Sequence, residues 1–183
     1  MAKMIDKKPS WKGEGKVWES LSANLPEDNV VYNQREVNGR EYDFCVMVEN
    51  LGLVIIEVKG WDPDKIDVRG VDNIIIDGYD EPQTSPKKQA RAYRFAILNK
   101  IVEKYNASPL VLDMVCYPFI TQEQYVKTKL DIVSEPEYTI FKEDIEDGKK
   151  LNEKIQHLFT LNKFIPHADF SYDLMVRIRK YLE

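Results

Sequence analysis

The fold is decided by the stretch LGLVIIEVKGW at residues 51–61. Its apolar run from Leu53 to Ile56 is rich in β-branched residues, which is typical of a strand buried on both faces. Glu57 and Lys59 interrupt that pattern, and because they are two residues apart, their side chains point to one face of the strand. Burying an acid and an amine costs desolvation free energy. The pair therefore indicates either a structural salt bridge, formed with each other or with a neighbouring strand, or a functional site.

The residues before this stretch predict its partner strand in a hairpin. Alternate side chains point to opposite faces of this strand. One face carries Tyr42, Phe44, Val46 and Val48, and the other carries Asp43, Cys45 and Met47. A register that pairs Val48 with Gly52 places Asp43 opposite Glu57, and Glu41 opposite Lys59. Two facing carboxylates repel each other, and a divalent cation, which prefers oxygen ligands, would cancel that repulsion.

The rest of the chain supplies the other elements of an α/β core. Apolar spacing and turn residues predict a helix from about Trp11 to Leu25, a strand from Val30 to Val37, a turn at Asn38-Gly39, a helix from Pro86 to about Tyr105 and a strand from Pro109 to Phe119. The long helix allows the last strand to pair in parallel with the hairpin strand through a right-handed crossover. The predicted order is helix, three strands, helix, strand.

The remaining segments predict additions to this core. Residues 66–78 are most simply an accessory hairpin at the sheet edge, and the several aspartates around it are expected to be turn residues rather than metal ligands. Towards the C-terminus we expect a short helix from Thr121, a strand at Tyr138 to Phe141, and helices at about 149–161 and 171–182. These C-terminal elements would complete the cover of the sheet.

Composition and charge restrict the class of protein. At 183 residues the chain predicts one domain over residues 1–183, with a core at about 11–119 and a helical cover at about 120–183. No long apolar run and no secretory signal are visible, which predicts a cytoplasmic protein without a membrane partner. Cys45 and Cys116 lie in apolar strand patterns and are predicted to be reduced core residues.

Charge is distributed unevenly along the chain. The net charge of −5 argues against indiscriminate coating of nucleic acid. However, residues 84–104 contain six bases and one acid, whereas residues 131–153 contain eight acids and three bases. The basic segment, which includes Lys87, Lys88 and Arg91, is therefore the predicted phosphate-facing surface.

Four short motifs are spread over the predicted core: Gly13-Glu14-Gly15-Lys16-Val17, Tyr42-Asp43, Glu57-Val58-Lys59-Gly60-Trp61 and Pro86-Lys87-Lys88-Gln89. Together they resemble the nuclease-related domain family of the PD-(D/E)xK nuclease superfamily. The resemblance spans about residues 11–117, and one departure is Tyr42, which stands where the family more often has an apolar residue. It implies an α/β restriction-endonuclease-like fold with an αβββαβ core, a mixed central sheet flanked by helices, and additional C-terminal helices.

The resemblance also implies a function and a set of site residues. The expected function is metal-dependent hydrolysis of phosphodiester bonds in DNA, with Mg²⁺ as cofactor and Mn²⁺ as a substitute. Asp43, Glu57 and the Val58 carbonyl would hold the ion, and Lys59 would position the attacking water. Glu14 would complete or orient the water shell of the ion, although a first-turn glutamate that complements the helix dipole is the structural alternative. Glu19 is a second choice for this acid.

Two residues of the basic helix have open roles. Gln89 and Tyr93 lie one turn apart, as in exonuclease domains of recombination-type helicase-nucleases, where such a pair lies beside the metal and touches nucleic acid. In the alternative, Tyr93 is core and Gln89 is a surface residue of the helix start. Family members often adjoin a helicase module, which makes a fused or separate helicase the expected partner. The alternative function is a non-catalytic nucleic-acid-binding or docking module.

Overall fold

The computed structural model describes all 183 residues, Met1 to Glu183. Eight strands and six α-helices follow in chain order: β1 (Lys3–Met4), α1 (Lys12–Asn24), β2 (Val30–Val37), β3 (Arg40–Val48), β4 (Gly52–Val58), β5 (Ile66–Gly70), β6 (Asn73–Ile76), α2 (Pro86–Tyr105), β7 (Val111–Cys116), α3 (Gln122–Lys127), β8 (Thr139–Ile140), α4 (Lys142–Glu146), α5 (Gly148–Asn162) and α6 (Tyr172–Leu182).

The central sheet is mixed and has six strands in the order β1-β2-β3-β4-β7-β8. Strands β2, β3 and β4 form an antiparallel meander, and β7 pairs in parallel with β4 after the crossover through α2. This arrangement confirms the predicted fold class. The prediction missed the short strand β1 and the helix α4. The predicted accessory hairpin is confirmed as β5 and β6, but it forms a separate two-stranded sheet and does not join the edge of the central one.

Turn residues set the registers that bring the site residues together. Asn38 and Gly39 have φ of 51° and 75°, as a tight hairpin turn between β2 and β3 requires. Between β3 and β4 the register pairs Val48 with Gly52 and continues to Phe44 with Ile56, as predicted. The sequence therefore brings Asp43 and Glu57 to adjacent strands just beyond the last paired residues.

One predicted face assignment was wrong. Tyr42 packs with Cys45 and Met47 and not with Phe44. Asn33 pairs with Phe44 and Arg35 pairs with Tyr42, but the residues between them, Gln34 and Asp43, are not paired. Gln34 has a positive φ of 52°. A residue in this conformation bends the strand locally, as a β-bulge does, and here the bend lies directly opposite Asp43.

Helices cover both faces of the central sheet. On one face α1 and α5 pack on Phe44, Val46 and Ile56, and on the other face α2 and α6 pack on Cys45 and Ile55. A third apolar cluster lies beneath β5 and β6 and includes Trp61. None of the helices combines the length and apolar character needed to cross a bilayer. Cys45 and Cys116 are free and buried, as predicted.

Candidate active site

The site begins where the pairing of β3 with β4 ends. Beyond the Phe44–Ile56 pair, the Val58 N–H donates to Asp43 Oδ2 at 2.7 Å. The carboxylate of Asp43 thus accepts the hydrogen bond that a backbone carbonyl of β3 would accept if the strand pairing continued. This contact fixes the carboxylate against the end of β4.

Glu57 and Lys59 form the ion pair that the sequence left open as one alternative. Lys59 Nζ lies 3.3 Å from Glu57 Oε1. Glu57 is only 6% exposed, and its second oxygen, Oε2, is buried without a hydrogen-bond partner. A buried carboxylate oxygen that has no donor carries an uncompensated desolvation cost. The ion pair with Lys59 therefore satisfies only one of the two oxygens of the Glu57 carboxylate.

Glu14 reaches the same place from α1. Its side chain is partly buried, and its Oε2 is a second buried carboxylate oxygen without a partner. Close packing of the helix start against the strand end brings it there, since a Cβ on Gly13 would lie 3.2 Å from the Cα of Gly60. Glu19, the second choice, instead lies on the surface in an ion pair with Lys8.

Electrostatics link these three acids. Burial and, next, the negative charge of Asp43 raise the pKa of Glu57 to about 8, against the lowering effects of Lys59. Burial also raises the pKa of Asp43, against the lowering effects of the Val58 hydrogen bond and of Lys59. The pKa of Glu14 is raised by burial and then by the charge of Asp43. Ionising all three acids beside a single lysine is therefore unfavourable in the metal-free protein.

A cleft of about 490 Å³ opens onto this end of the sheet. Glu14, Val58 and Lys59 line it, together with four aromatic side chains that the sequence analysis did not assign to the site: Trp11, Trp61, Tyr79 and Phe119. Trp11 precedes the first residue of α1, and a tryptophan at the predicted helix start, away from the apolar face of that helix, was the available signal.

The structure removes Lys87 from the predicted nucleic-acid surface. Its side chain is buried, with Nζ at 2.9 Å from Asp113 Oδ1 and 3.8 Å from the centroid of the Tyr138 ring. Arg94 lies 3.2 Å from the other oxygen of Asp113. An acid inside the apolar strand β7 requires cationic partners from α2, and this requirement turns Lys87 inward. The prediction for Lys87 was wrong.

The other predicted residues of α2 lie at or near the surface. Lys88 is exposed and pairs with Asp72, and Arg91 is exposed. Gln89 donates from Nε2 to Thr84 Oγ1 at 3.0 Å, which is a contact within the helix start. Tyr93 is partly buried against the core, yet the charges of Glu57 and Asp43 contribute to its raised pKa, after burial. It thus combines features of both alternatives.

No group of three or more His, Cys, Asp and Glu side chains is placed so as to hold a metal ion. Possible metal ligands are therefore fewer than three side chains: Asp43 on β3 and Glu57 at the end of β4, with the backbone of Val58 beside them. Mg²⁺ is commonly bound through one or two carboxylates and retains several waters, so a complete protein cage is not needed for it.

The sequence model of the nuclease-related domain family matches residues 9–118. The chain belongs to the nuclease-related domain family. The match includes Glu14, Asp43, Glu57 and Lys59, and it ends two residues after β7. In this nuclease-related domain, the elements α3 to α6 therefore lie outside the matched range.

One solved structure similar to this domain is the crystal structure of a repair endonuclease from Pyrococcus abyssi, with 16% sequence identity and a TM-score of 0.37. The alignment covers 74% of this chain and 48% of that one, so the chain spans about half the length of that endonuclease. No functionally curated protein matches the chain.

Proposed function

We propose that this domain is a Mg²⁺-dependent nuclease that hydrolyses phosphodiester bonds in DNA. The observation that carries the proposal is the pair of Asp43 and Glu57 beside Lys59 at the end of the hairpin, with Glu14 near enough for its charge to act on Glu57. Their carboxylates are more buried and more repulsive than a structural ion pair requires, since two buried oxygens have no donor. Such a concentration of negative charge is typical of a site that binds a cation.

The residues present fit a hard divalent cation. Asp43 and Glu57 would hold Mg²⁺, with Mn²⁺ as a substitute, and Glu57 Oε2 offers a free oxygen for it. The Val58 N–H faces Asp43, and because the N–H and C=O of one strand residue point the same way, the Val58 carbonyl would be the third ligand. When bound, Mg²⁺ supplies positive charge that polarises a phosphoryl oxygen and acidifies water.

Lys59 has a separate role in the proposal. Its ammonium group would orient the attacking water and offset the negative charge that develops on the phosphoryl oxygens. Its contact with Glu57 holds it beside the acids, and its side chain remains partly exposed toward the cleft. Glu14 would accept hydrogen bonds from water at the opposite side of the site, through an oxygen that has no protein donor.

The proposed DNA contacts outside the site of Asp43, Glu57 and Lys59 are at the start of α2. Lys88 and Arg91 would contact phosphates, because both are exposed. Gln89 would help to guide the strand, and Tyr93, whose pKa is raised by burial and then by the charges of Glu57 and Asp43, would contact it near the acids. The helicase partner and the cytoplasmic location stay predictions from the sequence.

A cleavage assay on linear, circular and single-stranded DNA tests the proposal. The wild-type protein should cleave at least one substrate with Mg²⁺ or Mn²⁺ and none with a chelator. Asp43→Asn should abolish cleavage, whereas the control Asp67→Asn should not, since Asp67 is an exposed residue of β5 that pairs with Arg69. Absence of cleavage by the wild-type protein under every metal condition would favour the docking module.

A further inference from the structure

Two of the aromatic side chains in the cleft are exposed to solvent. Trp11 is 72% exposed and Tyr79 is 55% exposed, and both line the cleft that contains Lys59 and Glu14. Trp11 makes no capping hydrogen bond from its side chain to α1. Large aromatic surfaces left in water are costly, so their placement around one cleft indicates a ligand with flat apolar faces.

The cleft continues into a second groove along α1. This groove has a volume of about 810 Å³ and shares Trp11, Lys12 and Phe119 with the cleft. Phe119 forms the floor at the junction, with Lys12 Nζ at 5.7 Å and Lys16 Nζ at 5.4 Å from its ring centroid. The two depressions together form one path from Glu14 and Lys59 to the segment just before α1, at Lys8.

The groove is positive although the chain as a whole is negative. Four lysines and two glutamates line it: Lys8, Lys12, Lys16, Lys142, Glu19 and Glu146. Glu146 is shared by Lys16 and Lys142, at 3.4 Å and 4.0 Å, and Lys12 has no ion-pair partner. Positive charge therefore remains for an anionic ligand, in a chain whose net charge is −5.

From these features we infer that the groove and cleft bind a single strand of DNA, with bases stacked on Trp11 and Tyr79 and phosphates beside Lys12 and Lys16. Aromatic platforms combined with a basic groove are the general means by which proteins bind unpaired strands, because every base has a stacking face. Paired bases present those faces only to each other, so a duplex cannot use the two rings. This inference rests on the proposed nuclease function and gives its substrate class, single-stranded DNA.

Binding without cleavage tests the inference. The anisotropy of a labelled oligonucleotide, single-stranded or annealed to its complement, is measured with the full chain in chelator. Trp11→Ala and Tyr79→Ala should each weaken single-strand binding by about 5-fold to 150-fold, the usual effect of losing one stacked base. Duplex binding should change little. The matched controls are Phe164→Ala for Trp11 and Tyr172→Ala for Tyr79; each removes a ring that is more exposed than its counterpart and lies outside both depressions.

A salt titration provides an independent measurement. Lys12→Ala should flatten the dependence of single-strand affinity on salt by about 0.7 in logarithmic slope, the value for one phosphate contact on a single strand. Trp11→Ala should leave this slope unchanged, because stacking releases no counterions.

Specific outcomes separate the inference from the proposed function. If Trp11→Ala and Tyr79→Ala bind single strands as well as the wild type does, or if the wild type prefers the duplex, the inference is wrong even if cleavage persists. If the two variants lose single-strand binding but the wild type cleaves nothing, the binding path is supported and the nuclease proposal fails.

Discussion

Replacing Glu57 by Gln should stabilise the metal-free protein, and the gain should grow with pH. The pKa of Glu57 is raised from its ordinary value of 4.5 to about 8, so the folded protein holds a proton that the unfolded chain releases between these values. Stability is therefore lost as the pH rises through this window, and the full cost is present above pH 8. Glutamine imitates the protonated form and avoids that cost.

The magnitude follows from the same two values. Each pH unit in the window costs about 1.4 kcal/mol, which gives roughly 1 kcal/mol at pH 5 and roughly 3 kcal/mol at pH 7. The attraction of Lys59 is already included, since it lowers the pKa of Glu57. For a chain of this size, 3 kcal/mol corresponds to a rise in Tm of about 6–12 °C at pH 7.

Thermal unfolding in chelator from pH 5 to pH 8 measures the effect. Saturating Mg²⁺ should then stabilise the wild type more than Glu57→Gln, because ligand linkage acts only through a site that binds. The control Glu27→Gln changes an exposed glutamate and should alter Tm little at any pH. A destabilised Glu57→Gln, or a gain that is the same at pH 5 and pH 8, would refute the reasoning.

Three further substitutions test separate parts of the site. Lys59→Ala should abolish cleavage yet keep or increase Mg²⁺ affinity measured by calorimetry, because it removes a cation near the ion; cleavage at the wild-type rate would make the lysine structural. Lys88→Ala combined with Arg91→Ala should weaken DNA binding at all sequences and flatten its salt dependence, and an unchanged slope would exclude these contacts. Lys87→Ala should lower the free energy of unfolding by about 1–3 kcal/mol in denaturant titrations, since Asp113 then keeps only one cationic partner. Unchanged stability would contradict the buried ion pair between Lys87 and Asp113.

The sequence predicted the meander well because its signals are local. Asn38-Gly39 fixes one turn, and the short connection before Gly52 fixes the other register, which brings Asp43 beside Glu57. The crossover through α2 followed from helix length alone. These features depend on neighbours in sequence, which is why they could be predicted before any packing was known.

The errors concern long-range partners. Lys87, unlike Lys88, lies on the same face of α2 as the buried Ala90 and Ile97, and Asp113 on a distant strand supplies the partner that holds it inward. The displaced face of Tyr42 depends on Gln34 of the neighbouring strand, which takes a conformation that its residue type does not favour. Asp113 within the apolar run of β7 was a signal from which a buried cationic partner could have been predicted. No local signal existed for the displaced face of Tyr42.

The central claim is that Asp43 and Glu57 share one divalent ion, and a crystal soaked in Mn²⁺ tests it most directly. We expect an anomalous difference peak at about 2.0–2.2 Å from a carboxylate oxygen of each residue, with the Val58 carbonyl in the same coordination shell. The peak should disappear in Asp43→Asn crystals treated in the same way. A well-ordered soaked crystal without a peak between Asp43 and Glu57, or with manganese only at other acids, would contradict the claim.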